Sequence, residues 1–429
     1  MNPTIRSLSL FFLCFAGCYH ASDLSAPTLV SIQIQDRNGM TETISQPDRL
    51  ETYDHLDFLA THPYKKVLRV YKQNGKLAGK ISTYHPNGLP WQYLEAIDMR
   101  AYGPYKEWHT NGQLKIEANV IGGTADIGSS AQKTWLFDGK AQIWDEKGNL
   151  QAQVSYNKGV MEGNSLHYYP TGQIQRKLPY TQDLIDGEAT EYHPNGQLLS
   201  TTVYKRNIKN GVSKGFWIDL QPQWVETYQE GLLLEGQYFA LDGSLVSEVR
   251  AGSGYQAKFN GPVLERIVEH RRGKAEGLVK IHFATGQVKT IYQVKNGQKQ
   301  GDETEYFSLD ELEDNADQQR PKITIPWERD SISGIVKTWY SNGKLQSQRE
   351  LSRNKKSGAS VGWYKDSSLM YVEEYEDDRL LGGQYYKKGH KDPISTISNG
   401  NGFATLYDEM GVLLKKVHYV KGKPVDPES

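Results

Sequence analysis

The chain has 429 residues, with 50 Lys and Arg against 51 Asp and Glu, for a formal net charge of −1. This balance, without a concentrated basic segment, argues against a nucleic-acid partner. Hydrophobic residues make up 37%, which argues against a thick aliphatic core, whereas 27 Tyr and 9 Trp supply aromatic area suited to half-solvated sheet faces.

The N-terminus has the pattern of an export signal. Arg6 precedes a short apolar run, Leu8–Ala16, and Cys18 follows after one small residue. A positive region, an apolar stretch and small residues before a cleavage point are typical of a secretory signal peptide. The run is too short to cross about 30 Å of hydrocarbon. Phe15-Ala-Gly-Cys18 resembles a bacterial lipobox, which implies a signal peptide over 1–17 and lipidation of Cys18; plain secretion and a retained anchor or cytosolic protein are the alternatives.

Cysteine use agrees with export. The chain has 2 Cys, at positions 14 and 18, and both lie in this leader. The exported body would then need no disulfides, and it offers neither a thiolate metal site nor a cysteine nucleophile. Residues 18–65 are predicted to form a lipid tether and an N-terminal cap. Tyr19 is not the Asp that retains lipoproteins in the inner membrane of well-studied families, so the resemblance favours the outer membrane.

From residue 66 to 424 the chain repeats itself about every 24 residues, which is the signature of a repeat architecture. Each unit has a glycine, an aromatic residue five positions later, and a second glycine four positions after that. The pattern predicts an array of about fourteen units, several of them imperfect. The cleanest units place this repeat framework at Gly139, Trp144 and Gly148, at Gly163, Tyr168 and Gly172, and at Gly187, Tyr192 and Gly196.

Each unit is interpreted as two short strands and two tight turns. The first turn carries Asn-Gly between alternating apolar residues, as at Asn195-Gly196, and both residues tolerate the positive φ of a hairpin turn. The second turn carries pairs such as Lys158-Gly159. Strand alternation explains why the repeat aromatic keeps a constant phase. The chain is therefore predicted to be all-β, an elongated antiparallel sheet of tandem hairpins.

These units resemble MORN-type repeats, specifically the bacterial variant of proteins described as YwqK-like antitoxin components. The resemblance rests on Gly-x4-Tyr-x2-Asn-Gly-x-Leu, which runs here from Gly187 through Tyr192 to Leu198. It covers residues 66 to about 422 and implies a twisted antiparallel sheet of stacked hairpins. As a marker of fold the motif is specific, whereas few relatives have a defined biochemical role.

The repeat is interrupted in several places. Two gaps exceed the period and predict insertions near residues 122–130 and 309–320, and the stretch 212–276 keeps only part of the pattern. The acidic run Asp310–Asp317 lacks the ligand spacing of a calcium loop and is interpreted as a solvated loop. Residues 425–429 are predicted to be a C-terminal tail. Because the regular units explain the shape, these breaks are the expected places for function.

The sequence offers little evidence for catalysis. His85, His109 and His193 directly follow a repeat aromatic, so one unit separates them by about 10 Å, too far for several to share one metal ion. We found neither a nucleophile elbow, nor a phosphate-binding loop, nor a zinc-protease motif. The chain is therefore predicted not to be an enzyme, with no cofactor, no metal and no small-molecule substrate.

Three functions remain as hypotheses. The first is a non-enzymatic envelope lipoprotein, anchored in the membrane by its N-terminal lipid, that acts as a repeat-built platform for an unidentified protein partner. The second, from the resemblance, is an antitoxin-like or immunity protein that neutralises a cognate toxin. The third is recognition of glycans or lipid head groups by exposed Tyr and Trp rings, which requires that the aromatic rings face solvent.

Overall fold

The computed structural model describes residues 27–57, 59–313 and 318–425. Within these ranges the chain is almost entirely β-strand, and it divides into two compact units after Gly172. Strands that are neighbours in the sheet pair antiparallel in each unit, and the paired strands are either consecutive in the chain or separated by one strand. The prediction of an all-β chain of antiparallel hairpins is confirmed.

In the first unit, the sheet begins with an N-terminal strand pair and continues through the first repeats. Its helical segments are single turns, α1 (Pro47–Leu50), a 3-10 turn (Glu51–Tyr53) and α2 (Ser129–Gln132). Its strands are β1 (Thr28–Gln35), β2 (Thr41–Ile44), β3 (Lys66–Gln73), β4 (Lys76–Tyr84), β5 (Pro90–Ile97), β6 (Arg100–Trp108), β7 (Leu114–Val120), β8 (Phe137–Trp144), β9 (Leu150–Asn157), β10 (Val160–Met161) and β11 (Gly163–Tyr168).

In the second unit, hairpins continue without interruption through residues 212–276, where the sequence pattern is weak. One 3-10 turn, Leu309–Glu311, lies in the second insertion. The strands are β12 (Ile174–Thr181), β13 (Leu184–Ile185), β14 (Gly187–Tyr192), β15 (Leu198–Lys205), β16 (Ile208–Lys209), β17 (Gly211–Phe216), β18 (Pro222–Gln229), β19 (Leu232–Phe239), β20 (Leu245–Arg250), β21 (Ser253–Asn260), β22 (Val263–Arg271), β23 (Lys274–His282), β24 (Val288–Lys295), β25 (Gln298–Lys299), β26 (Gly301–Tyr306), β27 (Pro321–Glu328), β28 (Ser331–Ile332), β29 (Gly334–Trp339), β30 (Leu345–Ser352), β31 (Lys355–Trp363), β32 (Leu369–Glu376), β33 (Arg379–Tyr385), β34 (Ser395–Ser398), β35 (Asn401–Tyr407), β36 (Leu413–Val420) and β37 (Lys423–Val425).

The repeats reverse direction through two turns of different chemistry. One turn has two residues, both with positive φ, for example 49° at Lys158 and 95° at Gly159. Positive φ at both central positions is the geometry of a type I′ turn, whose twist matches that of the flanking strands. The same geometry recurs at Asn74-Gly75, Asp98-Met99, Gln182-Asp183, Arg206-Asn207, Glu230-Gly231, Ala251-Gly252, Arg272-Gly273, Asn296-Gly297, Arg329-Asp330, Arg353-Asn354, Asp377-Asp378, Asn399-Gly400 and Lys421-Gly422.

The wider turn carries other Asn-Gly pairs, such as Asn87-Gly88, and here the sequence-based expectation is wrong in one respect. The N–H of Gly88 donates to the carbonyl of His85 at 2.8 Å, and Gly88 has φ of 86°, but Asn87 does not take positive φ. The Asn87 side chain instead accepts from the N–H of Leu89 (3.1 Å) and donates to the carbonyl of Thr110 in the following repeat (2.8 Å). The asparagine therefore links neighbouring repeats.

Opposite the repeat aromatic, the returning strand contains a β-bulge. Thr83 pairs with Gln92 and Tyr84 with Pro90, which leaves Trp91 outside the ladder. A bulge inserts one extra residue, bends the strand and re-aims the local side chains. We call these extra residues the bulge positions; they are Trp91, Lys115, Gln151, Leu199, Gln223, Val246, Lys289, Lys322, Gln346, Met370 and Leu414.

The N-terminal segment forms part of the sheet. Strand β1 pairs with β2 on one side and with β3, the first repeat strand, on the other. The apolar side chains of this segment pack against the first repeat, which removes them from water and stabilises the sheet end. The buried residues of this cluster are Leu29, Ile32, Ile34, Ile44, Leu50, Val67 and Tyr84.

The stretch with the weak pattern has a counterpart 147 residues further along the chain. In the first copy, buried Glu226 accepts hydrogen bonds from the hydroxyls of Tyr228 (2.8 Å) and Tyr238 (2.9 Å). Lys209 lies 4.7 Å from the centre of the Tyr228 ring. Burial, followed by the Glu226 charge, raises the pKa of Tyr238 far above its ordinary value, so this hydroxyl remains a donor.

The second copy repeats these contacts. The hydroxyls of Tyr375 and Tyr385 donate to Glu373 at 3.2 Å and 2.9 Å, and Lys356 lies 4.5 Å from the centre of the Tyr375 ring. The backbone agrees as well, because the N–H groups of Leu233 and Leu380 donate to the carbonyls of Gly273 (3.0 Å) and Gly422 (3.1 Å). The two irregular stretches are therefore two copies of one hairpin module.

Two wide turns lack the usual glycine and carry strain that a substitution can relieve. Leu220 has φ of 67° at this position and its side chain is 50% exposed, so Leu220→Gly removes left-handed strain and little buried area. We expect this change to raise the free energy of unfolding by about 0.5–1 kcal/mol, since left-handed φ costs about 1–2 kcal/mol in non-glycine residues. Urea denaturation measures the change.

The converse substitution serves as the control for that prediction. Gly243 has φ of 80° in the equivalent turn, and a Cβ there would meet nothing within 4 Å. Gly243→Leu should therefore lower the free energy of unfolding by about 1–2 kcal/mol through backbone strain alone. Equal stability of Leu220→Gly and the wild type would contradict the account of the wide turn.

The buried Glu–Tyr cluster leads to a second prediction. Glu226→Leu leaves the hydroxyls of Tyr228 and Tyr238 without their acceptor, and each unsatisfied buried group costs about 1–3 kcal/mol. We expect a loss of about 2–4 kcal/mol, measured by urea denaturation. Adding Tyr228→Phe and Tyr238→Phe should restore part of the loss, because the two hydroxyls no longer need an acceptor, whereas the Gln256 amide, which donates to Glu226 at 2.6 Å, still lacks it. No recovery in the triple variant would show that the hydroxyls are not the cause.

Candidate functional site

The residues predicted from the sequence fall into two groups. The signal peptide, residues 1–17, and the lipidation site, Cys18, lie outside the described residues. The framework residues lie in or beside strands: the first glycine lies within β8 or opens β11 and β14, and the aromatic closes those strands. The second glycine lies in the wide turn with φ of 86° at Gly148 and 85° at both Gly172 and Gly196.

The framework aromatics Trp144, Tyr168 and Tyr192 are half-buried. They therefore serve packing within the sheet and present only part of each ring to solvent. More exposed aromatics in the first repeats lie outside the framework positions, at Trp91 (42% exposed), which is a bulge position, and at Tyr102 (50% exposed) in β6. The sequence pattern of Gly, aromatic and Gly does not include these two residues.

Of the three histidines after repeat aromatics, His85 and His109 join one repeat to the next, whereas the buried Nε2 atom of His193 has no hydrogen-bond partner among the described residues. The Nε2 atom of His85 lies 2.9 Å from the carbonyl oxygen of Trp108, and that of His109 lies 2.9 Å from the carbonyl oxygen of Trp144. The hydroxyl of Tyr340 makes the same contact with Trp363, at 2.8 Å. Such bonds satisfy carbonyl groups at the strand end and fix the spacing of repeats.

Among residues 27–57, 59–313 and 318–425, no group of three or more His, Cys, Asp or Glu side chains is placed to hold a metal ion. In the same ranges, no helix is long and apolar enough to cross a membrane.

A concave site lies in the first unit, where the first insertion folds over the sheet. We call it the insertion pocket; its volume is about 380 Å³, which lies within the range of about 300–1,000 Å³ of small-molecule sites. The N-terminal segment, strands β4 and β5, and the insertion each contribute to it. The lining residues are Gln35, Lys65, Lys66, Thr83, Trp91, Gln92, Asp126, Ile127, Gly128, Ser129 and Gln132.

The bulge explains how Trp91 comes to line this pocket beside Gln92. Neighbouring residues of a regular strand point to opposite faces, but an extra residue in a bulge disturbs this alternation. The indole of Trp91 stacks on the imidazole of His85, with ring centres 5.5 Å apart and planes inclined by 28°. His85 is itself buried and bonded to Trp108, so the indole rests on a fixed partner.

From the pocket residues Thr83 and Gln92, a chain of hydrogen bonds runs across the neighbouring strands. Thr83 donates to the amide oxygen of Gln92 (3.2 Å), the Gln92 amide donates to the hydroxyl of Tyr105 (3.1 Å), and Tyr105 donates to Glu107 (2.8 Å). Lys115 closes the chain at Glu107, at 2.7 Å. Burial, followed by the Glu107 charge, raises the pKa of Tyr105 far above its ordinary value, which keeps the hydroxyl protonated.

The wall of the insertion pocket is the insertion itself, which occupies all of residues 121–136, between β7 and β8. Ile127 and Trp135 pack into the core beneath it, and the Trp135 ring lies edge-on to Tyr105 at 4.8 Å. Lys66 forms an ion pair with Asp126 at the pocket edge. Burial alone would raise the pKa of the Asp126 carboxyl, but hydrogen bonds from Lys66 and from backbone N–H groups lower it below its usual value.

A second concavity, of about 480 Å³, lies in the second unit beside Trp339. Two bulge positions from successive repeats, Lys322 and Gln346, line it. Lys365 is bound at its edge by Glu313 of the second insertion (2.8 Å) and by Glu409 (3.2 Å). In both units a pocket therefore combines bulge residues with an insertion.

The comparisons with known proteins agree with the repeat architecture. The model of the MORN repeat variant matches the chain at residues 101–121, 137–158, 161–182, 185–206 and 332–351. No relative is found among curated proteins. Among solved structures, a porin-like protein from Bacteroides uniformis is similar at 13% identity and a TM-score of 0.15, over 56% of this chain and 95% of that chain. This similarity is too weak to support any conclusion.

The five matches begin and end with the hairpins described above. The segment 185–206, for example, spans strands β14 and β15 with the wide turn between them. The weakly patterned stretch 212–276 is not matched, although its hairpins have the same turns and bulges. The chain therefore carries MORN repeats of the variant type in these five hairpins.

Proposed function

We propose that the protein is an exported, non-enzymatic scaffold, anchored in the cell envelope through a lipid on Cys18, whose insertion pocket engages an envelope partner. The leader sequence supports export and anchoring, and the lipobox-like segment with Tyr19 favours the outer membrane. The MORN repeats support a scaffold role, because stacked hairpins present extended surfaces.

The insertion pocket is the observation that carries this proposal. The regular repeats half-bury their framework aromatics, and His85 and Asn87 join neighbouring units. In contrast, Trp91 is exposed beside the first insertion, next to amides and hydroxyls of three chain segments. Exposed aromatic side chains surrounded by polar groups are enriched where proteins bind partners.

A non-enzymatic role fits the chemistry of the pocket lining. Asp126 is the carboxylate among the lining residues, and the ion pair with Lys66 holds it in its charged form. A general acid or base needs a pKa near the working pH, whereas the pKa of Asp126 is lowered. The site is therefore suited to binding rather than to proton transfer.

Export and anchoring can be tested at Cys18. In bacterial cells grown with a palmitate analogue, the wild-type protein should be labelled and should fractionate with the outer membrane. Cys18→Ala removes the acylated sulfur, so label should be lost and the protein should leave the membrane fraction. An unlabelled wild type, or an unchanged distribution of Cys18→Ala, would refute the anchor.

Partner binding can be tested with a photoreactive aromatic amino acid introduced separately at two exposed positions. Trp91 is 42% exposed in the pocket, and Tyr255, 44% exposed in the second unit, is the matched control. Irradiation of intact cells should give a discrete adduct from position 91 and none from position 255. Equal adducts from both positions would contradict the pocket as the binding site. Recovery of one dedicated toxin would favour the antitoxin hypothesis instead.

A further inference from the structure

We propose that the insertion pocket binds a pyranose ring of an envelope saccharide, with the sugar stacked on the indole of Trp91. The inference rests on the proposed function, because it names the ligand class of the same site. Three features of the pocket support it, namely a fixed aromatic face, a ring of amides and hydroxyls, and an ion pair at the pocket edge.

The aromatic face is held in place before any ligand binds. One side of the Trp91 indole stacks on His85, and the ring remains 42% exposed at the pocket. A pyranose presents a flat patch of C–H groups on one face, and such a patch packs well against a planar indole. Because the ring is already oriented, little conformational freedom is lost on binding.

The polar residues around Trp91 suit the hydroxyls of a sugar. The Gln92 amide has two N–H donors, of which one is bonded to Tyr105, and Gln132 uses an N–H to hold the carbonyl of Ile127 at 3.1 Å. Gln35 and the exposed Ser129 add a further amide and hydroxyl. Groups that both donate and accept match a ligand whose hydroxyls do the same.

The charge and the size of the pocket restrict the ligand further. At the pocket edge Lys66 is already paired with Asp126, so an anionic ligand would have to compete with Asp126 for Lys66, and Lys65 is the other cation of the lining. A lipid chain would cover the amides of Gln35 and Gln132 and the hydroxyl of Ser129 without offering them hydrogen bonds, which is costly. The volume of about 380 Å³ lies at the lower end of the usual range for ligand sites and suits one or two sugar rings.

The test is titration calorimetry of the full mature chain with three disaccharides, namely N,N′-diacetylchitobiose, maltose and cellobiose. We expect at least one to bind at concentrations up to about 10 mM. Trp91→Ala should weaken this binding by at least about tenfold, Trp91→Phe by about threefold or less, because an aromatic face remains, and Tyr255→Ala not at all.

A second variant guards against misfolding of Trp91→Ala. Ser129 is exposed at the pocket mouth, so Ser129→Trp should fill the pocket without disturbing the core, and it should also abolish binding. The inference is overturned if none of the three disaccharides binds the wild type, or if either Trp91→Ala or Ser129→Trp binds as tightly as the wild type while folded. A specific protein adduct from position 91 without saccharide binding would overturn the inference and leave the proposed function standing.

Discussion

The repeat depends on one backbone constraint. Each wide turn ends in a residue with positive φ, and the strand that follows contains one extra residue in a β-bulge. Gly88 takes φ of 86° after His85, and Trp91 is then left out of the ladder between Thr83 and Tyr84. Because the turn and the bulge come together, the number of residues between successive glycines is constrained. The spacing between the aromatic at the strand end and the second glycine follows from this geometry.

The same constraint provides the site. A bulge disturbs the alternation of a strand and can turn a side chain toward a neighbour that regular pleating would not reach. At most bulge positions this only varies the surface. Where an insertion lies beside the sheet, the bulge residue faces it. Trp91 lines the insertion pocket together with residues of the 121–136 insertion. Lys322 forms an ion pair with Glu311 of the second insertion, with 3.3 Å between the ammonium nitrogen and the carboxylate oxygen. Framework and binding positions are thus separate sets of residues in the same hairpin.

The sequence predicts the hairpins well because glycine and asparagine report directly on backbone conformation. It assigns the turn chemistry less well, since Asn87 uses its side chain to join repeats rather than positive φ, and the type I′ turns include pairs without glycine such as Arg353-Asn354. The pocket could not be predicted, because Trp91 lies outside the repeating pattern and its partners are distant in sequence. The signal for a bulge is its position in the repeat: the bulge residue is the third after the second glycine, as Trp91 is after Gly88.

The two irregular stretches suggest that loss of the 24-residue pattern is not decay. If substitutions had accumulated at random, Glu226 and Glu373 would not each be bonded to two tyrosines at the same spacing. Each carboxylate is instead surrounded by the donors it needs, and a lone change at either tyrosine would leave part of the cluster unsatisfied. The glutamate and its two tyrosines therefore depend on one another for their hydrogen bonds. In these modules a Glu–Tyr hydrogen-bond cluster takes the place of the regularly spaced glycines. The 24-residue period of the sequence does not detect such a cluster.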